Sequence, residues 1–338
     1  MRRLLTIALA GSLALTAACG GSDDGAADAD SAGGSDTGAA SGEWTFTDDN
    51  GNTVTLDAPP ETIVAQSTIA GGLWEYGVDV AGVFGPLRRA DGEPDPAIGL
   101  ADPDDFESLG EVDSEINIEA LAALQPDIIV APAWSEETYW GIAPDAVDEL
   151  AQIAPIVAIR VDDRPMDEPL ARVGELAASF GDEVAAEVES ARGEFDDASQ
   201  GLSAAVAAKP GLTVLAASGT LQEFYVAWPA GFPDLNYYAS LGMQLVEPTE
   251  HPEANGYWQK LSWEQVDTYP ADLILSDVRG ATLENQIAQM PPTAQDLPAV
   301  QADQMIAWPA ASALGYGNAA AVLASLTDSV AAADENVV

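Results

Sequence analysis

Short apolar runs alternate with amphipathic helical stretches along most of this chain, and the alternation occurs twice. In the first half, Ile63 to Gln66, Val80 to Phe84, Ile128 to Ala131 and Ile156 to Val161 read as buried strands. Ala70 to Gly77, Ile118 to Leu124 and Ala146 to Ala151 carry helical spacing between them. A hairpin precedes these, with alternating positions from Trp44 to Leu56 around Asp49-Asn50-Gly51. In the second half, Leu212 to Ala216, Leu273 to Leu275 and Gln304 to Trp308 predict strands. Tyr237 to Leu241, Trp263 to Tyr269 and Ala319 to Val330 predict helices. Strands alternating with helices imply an α/β fold with open, mostly parallel sheets. Pro169 to Ala208 differs: it is rich in Ala and Glu, has helical spacing throughout, and predicts one long helix between the halves.

The halves share a detailed motif. Ile118-Glu119-Ala120-Leu121, followed by Gln125-Pro126-Asp127-Ile128, parallels Trp263-Glu264-Gln265-Val266, followed by Tyr269-Pro270-Ala271-Asp272-Leu273. Each is a helix with Glu near its start, then Pro and Asp, then a buried strand.

The N-terminal segment has a different character. Arg2 and Arg3 precede an apolar run from Leu4 to Leu15, and Leu15-Thr16-Ala17-Ala18-Cys19 follows. This order reads as a secretory signal peptide over residues 1–18. The run is shorter than the about 20 residues that span a bilayer. The five residues ending at Cys19 resemble a bacterial lipobox, which makes Cys19 the expected lipidation site and the membrane anchor. Cys19 is the only cysteine, so no internal disulfide is available. Gly20 to Gly42 is built almost wholly from Gly, Ser, Ala, Asp and Thr and has no large apolar side chain, the composition of a flexible tether. The expected organisation is thus leader 1–18, lipidated Cys and tether 19–42, N-terminal lobe 43–165, spine helix 166–209 and C-terminal lobe 210–338.

Charge narrows the function. Fifty-six acids against eleven bases give −45, which excludes nucleic-acid binding by clustered Lys and Arg. The acidity serves solubility, or it favours neutral or cationic ligands over anionic ones. The one histidine, His251, and the absence of a folded cysteine leave no zinc set. No Gly-x-Ser-x-Gly elbow stands beside a strand and no phosphate loop is present. The enzyme alternative is a secreted glycosidase using two carboxylates.

Aromatic residues concentrate after strands, where open α/β sheets place their sites. Trp134, Tyr139 and Trp140 follow the strand at Ile128. Phe224, Tyr225, Trp228, Phe232, Tyr237 and Tyr238 follow the strand at Leu212; Tyr257 and Trp258 precede Glu264, and Tyr316 follows the last strand. A tryptophan in a wet loop is costly unless it lines a cleft.

Five segments carry a family resemblance: Ile63-Val64-Ala65, Ser108-Leu109-Gly110, Asn117 to Asp127, Leu261 to Gln265 and Leu297-Pro298-Ala299-Val300. The chain resembles the iron-siderophore and cobalamin class of ABC-transporter substrate-binding lipoproteins, periplasmic-binding-protein-like class III. The resemblance implies two Rossmann-like lobes joined by one rigid helix, with the ligand between them. It implies an extracytoplasmic monomer that hands a ferric siderophore to an ABC importer, with cobalamin or haem as alternatives. The resemblance implies Trp134 or Tyr139, Trp258 and Tyr316 as ligand contacts, with Arg279 matching a pocket arginine in some relatives; loop position after or beside strands adds Trp140, Trp228, Tyr257 and Arg88 as candidate contacts, and the implied importer-docking residues are Glu119 and Glu264. No catalytic residue and no cofactor is expected; iron would arrive already chelated. Glu111 stands where hydroxamate-binding relatives have arginine, and an aromatic, arginine-poor cleft suits ferric hydroxamates better than catecholates.

Overall fold

The computed structural model describes residues 42–250 and 256–338. The expected leader, Cys19, all but the last residue of the expected tether, and His251 lie outside the described residues.

The chain opens with a hairpin, β1 (Trp44–Thr47) and β2 (Thr53–Leu56), paired antiparallel. Its inward face, Trp44, Phe46 and Val54, is buried. The N-terminal lobe follows: β3 (Ile63–Gln66), α1 (Ser67–Glu75), β4 (Gly82–Phe84), α2 (Ile118–Leu124), β5 (Ile128–Ala133), α3 (Val147–Ile153) and β6 (Ile156–Arg160). Its four strands are all parallel, in the order β4-β3-β5-β6. Every residue of β5 is buried, as expected of a strand covered on both faces.

Two helices then lead out of the lobe, α4 (Asp167–Ala178) and α5 (Asp182–Ala207). The stretch read as one helix from Pro169 to Ala208 is therefore interrupted at residues 179–181. Gly181 caps the restart, Asp182 and Glu183 supply acid for the first turn, and Ser179 accepts a hydrogen bond from the Trp44 indole at 2.9 Å. The long connecting helix is α5, of 26 residues.

The C-terminal lobe contains β7 (Thr213–Gly219), β8 (Glu223–Ala227), α6 (Pro233–Ser240), β9 (Gln244–Leu245), β10 (Trp258–Ser262), a 3-10 turn (Trp263–Thr268), β11 (Leu273–Asp277), α7 (Leu283–Gln289), α8 (Pro292–Gln295), α9 (Pro298–Gln301), β12 (Met305–Trp308) and α10 (Tyr316–Ala332). The sheet order is β10-β8-β7-β11-β12, with β9 also on β7. β7, β9, β11 and β12 are parallel; β8 and β10 are antiparallel additions that the sequence reading placed in loops. The result is two α/β lobes with mostly parallel sheets and a long helix between them.

The repeated Pro and Asp motif has a structural meaning. Asp127 accepts hydrogen bonds from the backbone N–H of Glu61 and Thr62, both at 2.9 Å, at the foot of β3. Asp272 accepts from the Thr213 N–H at 2.9 Å and its hydroxyl at 2.8 Å, at the foot of β7. Each aspartate thus ties a central strand to its neighbour's start. Burial works against the charge of Asp272, but the donors of Thr213, Val337 and Val338 outweigh it and hold the carboxyl below its ordinary range.

Below the cleft the lobes meet in a close-packed seam. Gly71 and Gly72 of α1 lie against Ile98 and the 313–315 segment, so closely that a Cβ on Gly72 would stand 2.3 Å from the Leu314 carbonyl oxygen. Glu75 accepts from the N–H groups of Gly317 and Asn318 at 2.8 and 3.0 Å, and Tyr76 Oη accepts from the Tyr316 N–H at 2.9 Å. Two N-lobe side chains therefore satisfy the open amides at the start of α10. Burial raises the Glu75 carboxyl above its usual range, against the pull of those amides.

Candidate functional site

The cleft lies where both lobes present the C-terminal ends of their parallel strands. The recess between the lobes measures about 230 Å³ and continues into open solvent at its mouth. Thr68 follows β3, Trp134 follows β5, Val161 follows β6, Arg279 follows β11, and residues 311–314 follow β12; all line the cleft.

The N-lobe wall is a tight turn. Ala133 and Tyr139 pair as an antiparallel bridge, the Trp134 N–H donates to the Thr138 carbonyl at 2.9 Å, and the Trp140 N–H to the Pro132 carbonyl at 2.8 Å. Alternation along the returning strand sends neighbours to opposite faces. Trp140 therefore joins Trp134 on the cleft side, ring centroids 5.5 Å apart. Tyr139 points the other way, into the lobe core, where its hydroxyl meets Asn50.

The C-lobe wall rests on the antiparallel pair β8 and β10. Tyr257 and Trp258 enter β10 and line the cleft with Phe232. Phe232 contacts Tyr257, Trp258 and Trp308 edge-on, with centroids at 5.8, 5.0 and 5.2 Å. The tryptophans that line the cleft thus stand on a buried aromatic platform on this side, and on a bare turn on the other.

Five of the nine anticipated contact residues share the cleft: Trp134, Trp140, Tyr257, Trp258 and Arg279. Four do not. Tyr139 is core, as above. Tyr316 opens α10 and packs on Phe195 of α5, ring centroids 5.4 Å apart. Trp228 closes β8 half-buried, outside the cleft lining. Arg88 is exposed and paired with Asp104 at 2.6 Å. Nearness to a strand end in sequence was a valid signal; the direction of the side chain required the pleat and the helix packing.

The charged groups in the cleft lining are two acids, Asp113 and Asp234, and one base, Arg279. Asp113 lines it, exposed, and accepts from the Trp140 indole at 3.4 Å. Asp234, half-buried in the wall, accepts from the Trp308 indole at 2.5 Å and the Leu235 N–H at 2.9 Å. Burial pushes the Asp234 carboxyl up to about 6 despite these donors. Asp95 and Asp277 border an adjoining hollow with Asp113 and Arg279. Burial raises Asp95 as well. Among fifty-six acids nothing in the sequence singled out Asp113 or Asp234; Phe232 belonged to the flagged aromatic run. Among the described residues, no group of three or more His, Cys, Asp or Glu is arranged to hold a metal ion.

Glu119 and Glu264 occupy equivalent positions, each second in its helical turn, behind the caps Asn117 and Ser262. Both are exposed. The Glu264 carboxyl is held below its ordinary range by a backbone N–H and the Ser262 hydroxyl.

A family model described as periplasmic binding protein matches residues 101–311. Among solved structures, DesE, a ferric-siderophore receptor protein from Streptomyces coelicolor, is 39% identical; the match covers 86% of this chain and 99% of that one, with a TM-score of 0.79. A siderophore periplasmic binding protein from the fuscachelin gene cluster of Thermobifida fusca is 23% identical over 81% and 97% of the two chains, with a TM-score of 0.58. The petrobactin-binding protein YclQ from Bacillus subtilis is 16% identical over 85% and 98%, with a TM-score of 0.65. The last two speak for the fold alone. No curated protein matches this sequence.

Proposed function

This chain belongs to the periplasmic binding protein family, and from that premise we propose that it captures a ferric siderophore of the hydroxamate type between its lobes and delivers it to an ABC importer. The observation that carries the reading is the cleft itself. Trp134 and Trp140 from one lobe and Tyr257 and Trp258 from the other line one recess that opens to solvent. Aromatic faces suit the apolar shell of a chelate, whose iron then needs no protein ligand. The 39% identity to a ferric-siderophore receptor supports the cargo. The cleft's surplus of carboxylates supports a neutral or cationic complex over an anionic one.

Delivery follows from the same reading. Glu119 and Glu264, exposed at matching positions on the two lobes, would meet paired cationic pockets on a two-fold partner. Anchoring through a lipid on Cys19 would hold the protein at the extracytoplasmic membrane face.

Intrinsic tryptophan fluorescence tests the cargo. The purified protein is titrated with a ferric hydroxamate, a ferric catecholate, cobalamin and haem. Saturable quenching at sub-micromolar hydroxamate is the expected result. Tight binding of catecholates alone, of cobalamin or of haem would replace the hydroxamate assignment. Mass spectrometry of membrane-extracted protein, with Cys19→Ser as control, tests the anchor: a diacylglycerol-sized mass increment absent in the variant is expected.

A further inference from the structure

The one arginine in the cleft lining arrives already neutralised. Asp277 ends β11, almost fully buried, and Arg279 stands two residues later in the loop. The Arg279 Nε donates to both carboxylate oxygens of Asp277, at 3.0 and 3.2 Å, and Nη2 donates to Oδ2 at 2.8 Å. The Arg279 backbone N–H donates to the same carboxylate at 3.1 Å. This forked geometry fixes the guanidinium in orientation as well as charge.

The turn that holds the pair is itself locked. Gln286 of α7 donates to the carbonyls of Asp277 and Ala281, at 2.6 and 2.9 Å, and accepts from the Ser276 hydroxyl at 2.5 Å. The pair is therefore built into the end of the strand, and the guanidinium does not wait for a ligand to orient it. Asp234 and Asp95 add further negative potential around Arg279.

We infer that Asp277 sets the charge selectivity of the cleft: by cancelling Arg279, it turns away anionic ferric chelates that the arginine alone would attract. The inference rests on the siderophore reading above and deepens it. An unpaired guanidinium in a partly desolvated cleft is an anion site; the same group clamped by a carboxylate presents a dipole of little net charge. A trianionic ferric catecholate would in addition approach Asp277 itself, a like-charge encounter that costs affinity.

The test compares ferric enterobactin, a trianionic tricatecholate, with ferrichrome, a neutral trihydroxamate, by tryptophan quenching at low and moderate salt. In Asp277→Asn, the affinity for ferric enterobactin rises by about tenfold or more relative to wild type. The gain shrinks as salt rises. Asp277→Glu restores the wild-type preference. The double variant Asp277→Asn/Arg279→Met loses the gain, which separates release of the arginine from a general loosening of the loop. No gain in Asp277→Asn, in protein whose unfolding transition is intact, overturns the inference, as does an equal gain in the double variant. The catecholate arm is read on its own. Absence of ferrichrome binding by the wild type would therefore count against the hydroxamate reading and leave the Asp277 result standing.

Discussion

The same two lobes meet twice in this molecule, and the two meetings are built on different principles. In the seam, α1 and the start of α10 approach until only glycine fits, and buried side chains take up the exposed amides. In the cleft, a few angstroms of chain further on, aromatic side chains face each other across open space. Precision below permits openness above: the cleft walls need no contact with one another because the seam already sets their separation. The walls differ too. Tyr257 and Trp258 stand on Phe232 and Trp308, whereas the Trp134 and Trp140 rings lean on each other, with the exposed Asp113 at the Trp140 indole.

The seam gives the largest expected effect. Gly72→Ala places a methyl group against the Leu314 carbonyl, where backbone must move. We expect a loss of about 3 kcal/mol in chemical denaturation. A change under about 0.5 kcal/mol would show that the seam is slack. Next comes the buried acid of the cleft wall. Burial holds the Asp234 carboxyl at about 6 in the folded protein against an ordinary aspartate value of 3.8, so the folded state binds more protons between these limits. Stability falls as pH rises from about 4 to about 6. Asp234→Asn removes that fall, and its advantage over wild type should grow to about 2 kcal/mol above pH 6, after allowance for the water that reaches the cleft. Parallel denaturation curves for the two proteins across this range would refute the burial cost.

The two walls are separated by a matched pair of variants. Trp134→Ala and Trp258→Ala should each weaken hydroxamate binding about tenfold. Only Trp258→Ala should also lower the unfolding midpoint, because it removes a ring that packs on the buried Phe232 and Trp308. Equal effects on stability would erase the distinction between the walls. Smallest is Gly280→Ala at the cleft edge, where an added Cβ meets nothing within 4 Å. It should change stability by less than about 0.5 kcal/mol, the counterpart to Gly72→Ala.

Much of the fold was legible in the sequence because its strands announce themselves. β5 and β11 are apolar runs led in by Pro and Asp, β3 is a short apolar run that follows Pro60, and the paired Pro and Asp motifs exposed the internal repeat. β8 and β10 escaped because Glu223, Tyr225, Gln259 and Lys260 interrupt the apolar run; an antiparallel edge pair needs only one buried face. The interruption at Gly181 escaped because helical spacing continues on both sides of it.

The candidate site was half legible. Composition and position found Trp134, Trp140, Tyr257, Trp258 and Arg279. They also offered Tyr139, whose neighbour Trp140 lines the cleft while it does not, and Tyr316, two residues past the cleft-lining Leu314. Which of two adjacent aromatics turns outward is decided by strand alternation and by what α5 has room to cover, and neither is written locally. Asp113 and Asp234 were hidden for the opposite reason: in a chain this acidic, one more aspartate carries no signal.

The glycine-lined seam also has a consequence for rates. A cleft whose floor is fixed and whose mouth stands open asks for no slow opening step before a ligand enters. Association should then proceed near the ordinary encounter rate for every chelate that fits, and the ranking among chelates should be written in how long each one stays.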